Sequence, residues 1–271
     1  MDFNITNFNE RLKSIKLREL IVAGIAAIIL GVILSEIFPA IYDSDDLYFV
    51  VITILILVFF IYALKGTYGL KTNIHSVFET GNQKEIIYVF LINIFFAMVF
   101  LALFSSLDIM IGFLDPSWET GFEFDYVSLT PIAFFIDALG TIILAPIVEE
   151  LVFRGVLLNR LKLRIGIIPA ILVSSFLFGI GHEFGGMISA FLFGICMCIL
   201  YLKTDNILIP ITVHFINNLV VTLLESTHID TIMLEFPWII PTLIICLISS
   251  VLLILYTVSY THLRAHETVL D

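Results

Sequence analysis

Residues 145–155 read A-P-I-V-E-E-L-V-F-R-G and lie inside a longer apolar run, Pro131–Leu158. A run of that length reads as a membrane-spanning helix. This one nevertheless holds Glu149, Glu150 and Arg154. An ionisable side chain at the centre of a bilayer costs roughly 2.5–3.5 kcal/mol on insertion scales, so such groups persist where they meet polar partners. Two later apolar runs carry F-G-I-G-H, ending at His182, and H-F-I-N-N, supplying His214 and Asn218. A Glu, two His and an Asn converging inside a membrane are the makings of a hydrolytic site.

Working outward, the whole chain has the same character. Its 271 residues are 60% hydrophobic and 14% charged, with a mean hydropathy of +1.09. That is more apolar surface than a soluble domain of this size can bury, so the expected class is all-α: a polytopic membrane protein with a bundle of about eight transmembrane helices. The candidate segments are Leu20–Ala40, Leu47–Leu64, Ile86–Leu107, Pro131–Leu158, Ile165–His182, Gly186–Leu202, Ile207–Leu224 and Pro237–Thr257. They are continuous rather than alternating, which excludes a β-barrel. Residues 1–19 are basic and polar with scattered apolar positions, and are expected to form a cytoplasmic amphipathic helix along the headgroups. Residues 20–257 then form a single transmembrane domain, with the chemically unusual motifs within 131–225. No internal repeat, low-complexity run or Gly-rich phosphate loop is present.

The net charge of −11 matters less than its placement. Arg11, Lys13, Lys16 and Arg18 precede the first segment. Lys65, Lys71 and Lys84 lie between the second and third, Arg160, Lys162 and Arg164 between the fourth and fifth, and Lys203 between the sixth and seventh. The other connections carry acids: Asp43, Asp45 and Asp46, then Asp115, Glu119, Glu123 and Asp125, then Glu225, Asp230 and Glu235. The positive-inside rule makes the Lys/Arg side cytoplasmic, with both chain ends there. A multi-pass protein of a prokaryotic cell membrane is expected. The first segment is too long for a cleavable signal, and removing it would invert the remainder. Cys196, Cys198 and Cys246 lie in apolar helices and read as small buried hydrophobes rather than as disulfide partners or metal ligands. Residues 258–271 include V-S-Y-T-H-L-R-A-H-E-T, which reads like a translated sequencing adapter. They are expected to be a non-native tail, so His262 and His266 are set aside.

Within the fourth segment, Glu150 and Arg154 stand four apart and share a helix face, where they can neutralise each other. Glu149 is turned about 100° away and is left without that partner. One carboxylate is thereby structural and the other free for chemistry, since a carboxylate in a low-dielectric cavity is a competent proton acceptor. The competing explanation is a helix end whose charges snorkel into headgroups, but Leu, Val and Phe surround these charges. His182, one turn after Phe178, ends its segment and can equally be an interfacial residue. His214 and Asn218 again face the same way. An imidazole and a carboxamide can ligate a metal, donate to an oxyanion, or act as interhelical glue.

Counting inward from the basic ends at 1.5 Å per residue puts Glu149 about 16 Å deep, and His214 and Asn218 about 12 and 18 Å deep. His182 comes out near 27 Å by the same count from Arg164, too high for contact unless the fifth segment tilts or kinks near Pro169.

Glu149-Glu150 with Arg154, Phe178 with His182, and His214 with Asn218 resemble the E-E-x-x-x-R, F-x-x-x-H and H-x-x-x-N motifs of the CAAX-protease and bacteriocin-processing (CPBP, or Abi) family. That family comprises eight-span intramembrane proteases, including type II CAAX prenyl endopeptidases. The match covers residues 149–218 in residue type, order and spacing; the first three segments match only in being hydrophobic. The resemblance implies a hydrolase in which Glu149 and His182 activate a water while His214 and Asn218 hold the carbonyl oxygen as it becomes an oxyanion. Glu150, Arg154 and Phe178 would support them.

Family members have been described both as zinc metalloproteases and as glutamate-dependent enzymes. Catalysis without a cofactor is the favoured expectation; if zinc were bound, its ligands would be Glu149, His182 and His214. Glu183, directly after the motif histidine, departs from the usual apolar or small residue. The expected partners are the bilayer and a peptide or lipidated protein cut near the cytoplasmic face. No nucleic acid is expected, and the oligomeric state stays open. The rival readings are a non-catalytic immunity-type membrane protein and a transporter using the same polar cluster, against which no inverted repeat is seen.

Overall fold

The computed structural model describes residues 2–115, 117–118, 130–182 and 186–251. The tail at 258–271 and Glu183 lie outside them. The protein is an all-α polytopic membrane bundle, with no strand among the described residues. Its helices are α1 (Phe8–Ser14), α2 (Leu17–Ile37), α3 (Pro39–Tyr42), α4 (Asp45–Leu64), α5 (Leu70–Val77), α6 (Thr80–Leu114), α7 (Pro131–Ile165), α8 (Ile167–Gly179), α9 (Met187–Thr204), α10 (Leu208–Ser226), α11 (Ile229–Leu234) and α12 (Ile239–Val251). Six of them (α2, α4, α6, α7, α9 and α10) are long and apolar enough to cross a membrane, and α8 and α12 are shorter apolar helices. Each segment expected from the sequence therefore finds an apolar helix. One departure bears on the site, α8: 13 residues span only about 20 Å, against a hydrocarbon core of about 30 Å.

Local chemistry sets the boundaries. Ser44 accepts from the Leu47 N–H at 3.2 Å to start α4, and Thr130 accepts from the Ala133 N–H at 3.3 Å to start α7 with Pro131 at its first position. The first expected segment breaks at Pro39, which opens the separate turn α3. Within α7, residues Leu139–Leu144 and Leu151–Leu158 are wound in the wider π form on either side of Ala145–Glu150. Such wide turns inside α-helices are frequent at functional sites.

The chain divides into two compact units, Met1–Asn93 with Val127–Leu223, and Ile94–Tyr126 with Leu224–Asp271. In the second, the Ser105 hydroxyl donates to the Leu234 carbonyl at 3.0 Å and that of Thr242 to the Met233 carbonyl at 2.8 Å. The first holds two apolar clusters. One gathers Phe8, Leu12, Ile15, Phe60, Val156 and Leu158; the other gathers Phe178, Phe193, Met197, Leu200, Ile209 and Val213.

The N-terminal segment departs from the expected headgroup-lying helix. Phe8, Leu12 and Ile15 are buried in the first cluster, and Leu12 packs against Gly155, where an added Cβ would lie 3.0 Å from its methyls. Arg160 donates to the carbonyls of Ile15 and Lys13. The apolar stripe of α1 finds a protein groove to fill, and carbonyls left open after α1 are satisfied by a side chain.

Candidate active site

The decisive element is the α7–α8 hairpin, which turns at Gly166 with φ +84°, a value that suits glycine. Glu149 lies seventeen residues before that glycine and His182 sixteen after it. The two motifs are therefore level when depth is counted from the true turn. Depths taken from Arg160 and from Arg164 differ because α7 runs on to Ile165 and the chain turns only at Gly166. No kink at Pro169 is needed.

The hairpin packs tightly. The rings of Phe153 and Phe178 meet edge to face at 5.2 Å, and the Ser174 hydroxyl donates to the Phe153 carbonyl at 3.2 Å. Gly194 lets α9 close on α8, because a Cβ there would stand 2.9 Å from that of Ser175.

Four polar side chains then form a chain. Arg154, fully buried, donates through Nη1 to Glu150 Oε1 at 2.9 Å, as the i,i+4 spacing led one to expect, and through Nη2 to the Gly194 carbonyl at 3.3 Å. Its guanidinium lies 4.5 Å from the Phe178 ring centre, which explains that aromatic position. The same Glu150 Oε1 meets His214 Nδ1 at 2.9 Å. On the other side of the ring, His214 Nε2 is 3.8 Å from Glu149 Oε2. His214 is 3% exposed and wedged against Phe193, ring centres 4.8 Å apart.

A cavity of about 450 Å³ adjoins this chain. Glu149 and His182 both line it, together with Phe49, Asp45 and Asp46 of α4 and Asp137 and Thr141 of α7. The His182 ring is exposed, with Nδ1 2.9 Å from the Phe178 carbonyl and its ring centre 4.6 Å from that of Phe178. His214 and Asn218 do not line the cavity: His214 stands behind Glu149, and Asn218 donates Nδ2 to the Thr141 carbonyl at 2.9 Å. Thr141 lies in the first wide stretch of α7, so Asn218 caps a carbonyl at a loosened turn.

Two features went unread in the sequence. Asp137 and Thr141, hydrogen-bonded to each other at 3.1 Å, reach the cavity, and an aspartate six residues inside an apolar run was the available signal. The cavity also extends to the acidic ends of α4 and α7, opposite the ends bearing Lys65 and Arg160, rather than lying near the basic face as expected.

No group of three or more His, Cys, Asp or Glu is placed to hold a metal ion among the described residues. Glu150 Oε1 is already shared by Arg154 and His214. Glu149, His182 and His214 are not grouped as a metal-holding set among the described residues.

Residues 131–220 match the family model for Rce1-like type II CAAX prenyl endopeptidases. The matched stretch is about a third of the chain. It begins at the first residue of α7 and ends within α10, so it holds the hairpin, the buried charge chain and every motif residue. The Rce1-like match supports a CAAX-type intramembrane protease. No curated protein and no solved structure matches the sequence.

Proposed function

We propose that the protein is an intramembrane endopeptidase that hydrolyses peptide bonds of membrane-associated or lipidated substrates, in a prokaryotic membrane with its N-terminus cytoplasmic. One observation carries the reading: Glu149 and His182, from opposite arms of one hairpin inside the Rce1-like match, line a single cavity.

The chemistry follows from the side chains. The Phe178 carbonyl can only accept, so it keeps the proton on His182 Nδ1 and leaves Nε2 to orient a water. Glu149 takes a proton from that water as its oxygen adds to the scissile carbonyl carbon. It returns the proton to the amide nitrogen as the C–N bond breaks, so one carboxylate serves as base and then as acid. The motif resemblance gives His214 and Asn218 to the carbonyl-oxygen side; both stand outside the cavity lining, His214 behind Glu149 and Asn218 on the Thr141 carbonyl, so they act there only once bound substrate reaches past Glu149. Water is the only co-reactant, and the chain's own groups make every proton transfer.

The Rce1-like match does not favour the immunity-type or transporter alternatives. Purified, folded Glu149→Ala, His182→Ala and His214→Ala proteins, assayed on a fluorogenic peptide in detergent, test the proposal. Wild-type cleavage that persists in strong chelator and is lost in all three variants is expected; solute flux without cleavage would overturn it.

A further inference from the structure

Glu150 was expected to pair with Arg154 as structural support. Its geometry carries more than that. Oε1 lies 2.9 Å from Arg154 Nη1 and 2.9 Å from His214 Nδ1, with both Glu150 and Arg154 completely enclosed. Arginine stays protonated, so the carboxylate beside it is acceptor-only. The histidine nitrogen that faces it must therefore be the donor. Of the two ring nitrogens, only Nε2 is then left to work, and it points to Glu149 at 3.8 Å, longer than a direct hydrogen bond.

The geometry points to Glu150 as the positioning residue of His214. It keeps the proton on Nδ1, holds the ring between Phe193 and Phe178, and aims Nε2 at Glu149. When Nε2, which faces Glu149, is also protonated, Glu150 balances the imidazolium without taking the proton. An aspartate plays this part toward a catalytic histidine in serine proteases. Arg154 in turn supplies the fixed positive charge that keeps Glu150 in place, and Phe153, Phe178 and the Gly194 carbonyl enclose it. The pattern also gives the adjacent Glu149-Glu150 pair separate tasks. Glu149 meets the cavity; Glu150 never does.

The inference rests on the proteolytic reading, and its test has a readout that does not need activity. In protein labelled with ¹⁵N-histidine, with the His214 signal assigned by comparison with His214→Asn, the wild-type ring should carry its proton on Nδ1. Glu150→Gln, which can still accept, should keep that tautomer and lose roughly 10–100-fold in kcat with KM nearly unchanged, the scale seen when partners that orient a ligating or catalytic group are altered. Because Glu150→Ala would strand a buried guanidinium, the disruptive variant is the double change Glu150→Leu with Arg154→Met, which removes both charges together. It should fold, lose the fixed Nδ1 proton and lose at least ~100-fold in kcat.

A folded double variant with wild-type kcat, or a wild-type His214 protonated only on Nε2, would overturn the assignment. A wild type that cleaves no peptide would remove the proteolytic reading instead, and the tautomer would then decide the role of Glu150 alone.

Discussion

Among the described residues two arginines are almost wholly buried, and they are buried in different ways. Arg11, 3% exposed, sits where α1 docks, and gives its hydrogens to the backbone carbonyls of Ile5, Phe3 and Ala63, with the Phe3 ring 5.2 Å away. It has three carbonyl partners, two from the N-terminal stretch and one from α4, and no catalytic one. Arg154 has a carboxylate partner that is itself bonded to a histidine facing a second carboxylate. The first arrangement ties segments together at an end of the bundle. The second runs from a structural charge to a group lining a cavity. A buried cation is thus no sign of chemistry by itself; what its partner touches next decides.

That contrast fixes an order of effects. Arg154→Ala should be the most damaging, about 3–5 kcal/mol, because it leaves Glu150 buried without its countercharge. Thermal unfolding in detergent would read this as loss of folded protein, and full stability would erase the distinction drawn above. Arg11→Ala should cost less, about 1–3 kcal/mol, since the freed carbonyls lie near an end that water reaches. Peptide cleavage per folded molecule should be unchanged; an activity loss without instability would put Arg11 in the same class as Arg154. Lys203→Ala removes a half-exposed ion pair to Glu85 at 2.6 Å and should change stability by no more than about 1 kcal/mol.

The fold was legible because membrane helices announce themselves by length and composition, and the alternation of basic and acidic connections matched their number. The motifs were legible because i,i+4 spacing places Glu150 with Arg154 and His214 with Asn218 whatever the surroundings. What spacing could not give was contact between helices. The bond from Glu150 to His214 joins residues sixty-four apart, and nothing local encodes it. His182 is level with Glu149 because the chain turns at Gly166, and the spacing of basic residues does not mark that turn. The wide turns of α7 were invisible for a related reason: a sequence pattern assumes a constant 3.6-residue period, and α7 departs from it on both sides of the glutamates. The docking of α1 was missed because an amphipathic stripe fits a bilayer surface and a protein groove equally well.

The most direct measurement is single-turnover cleavage by Glu149→Gln protein whose fold matches the wild type. The substitution keeps the size and polarity of the side chain and removes the proton acceptor. Catalysis through Glu149 predicts a loss of at least ~10²–10⁴-fold in the cleavage rate, the usual contribution of a general base. Cleavage at the wild-type rate by that variant would contradict the account.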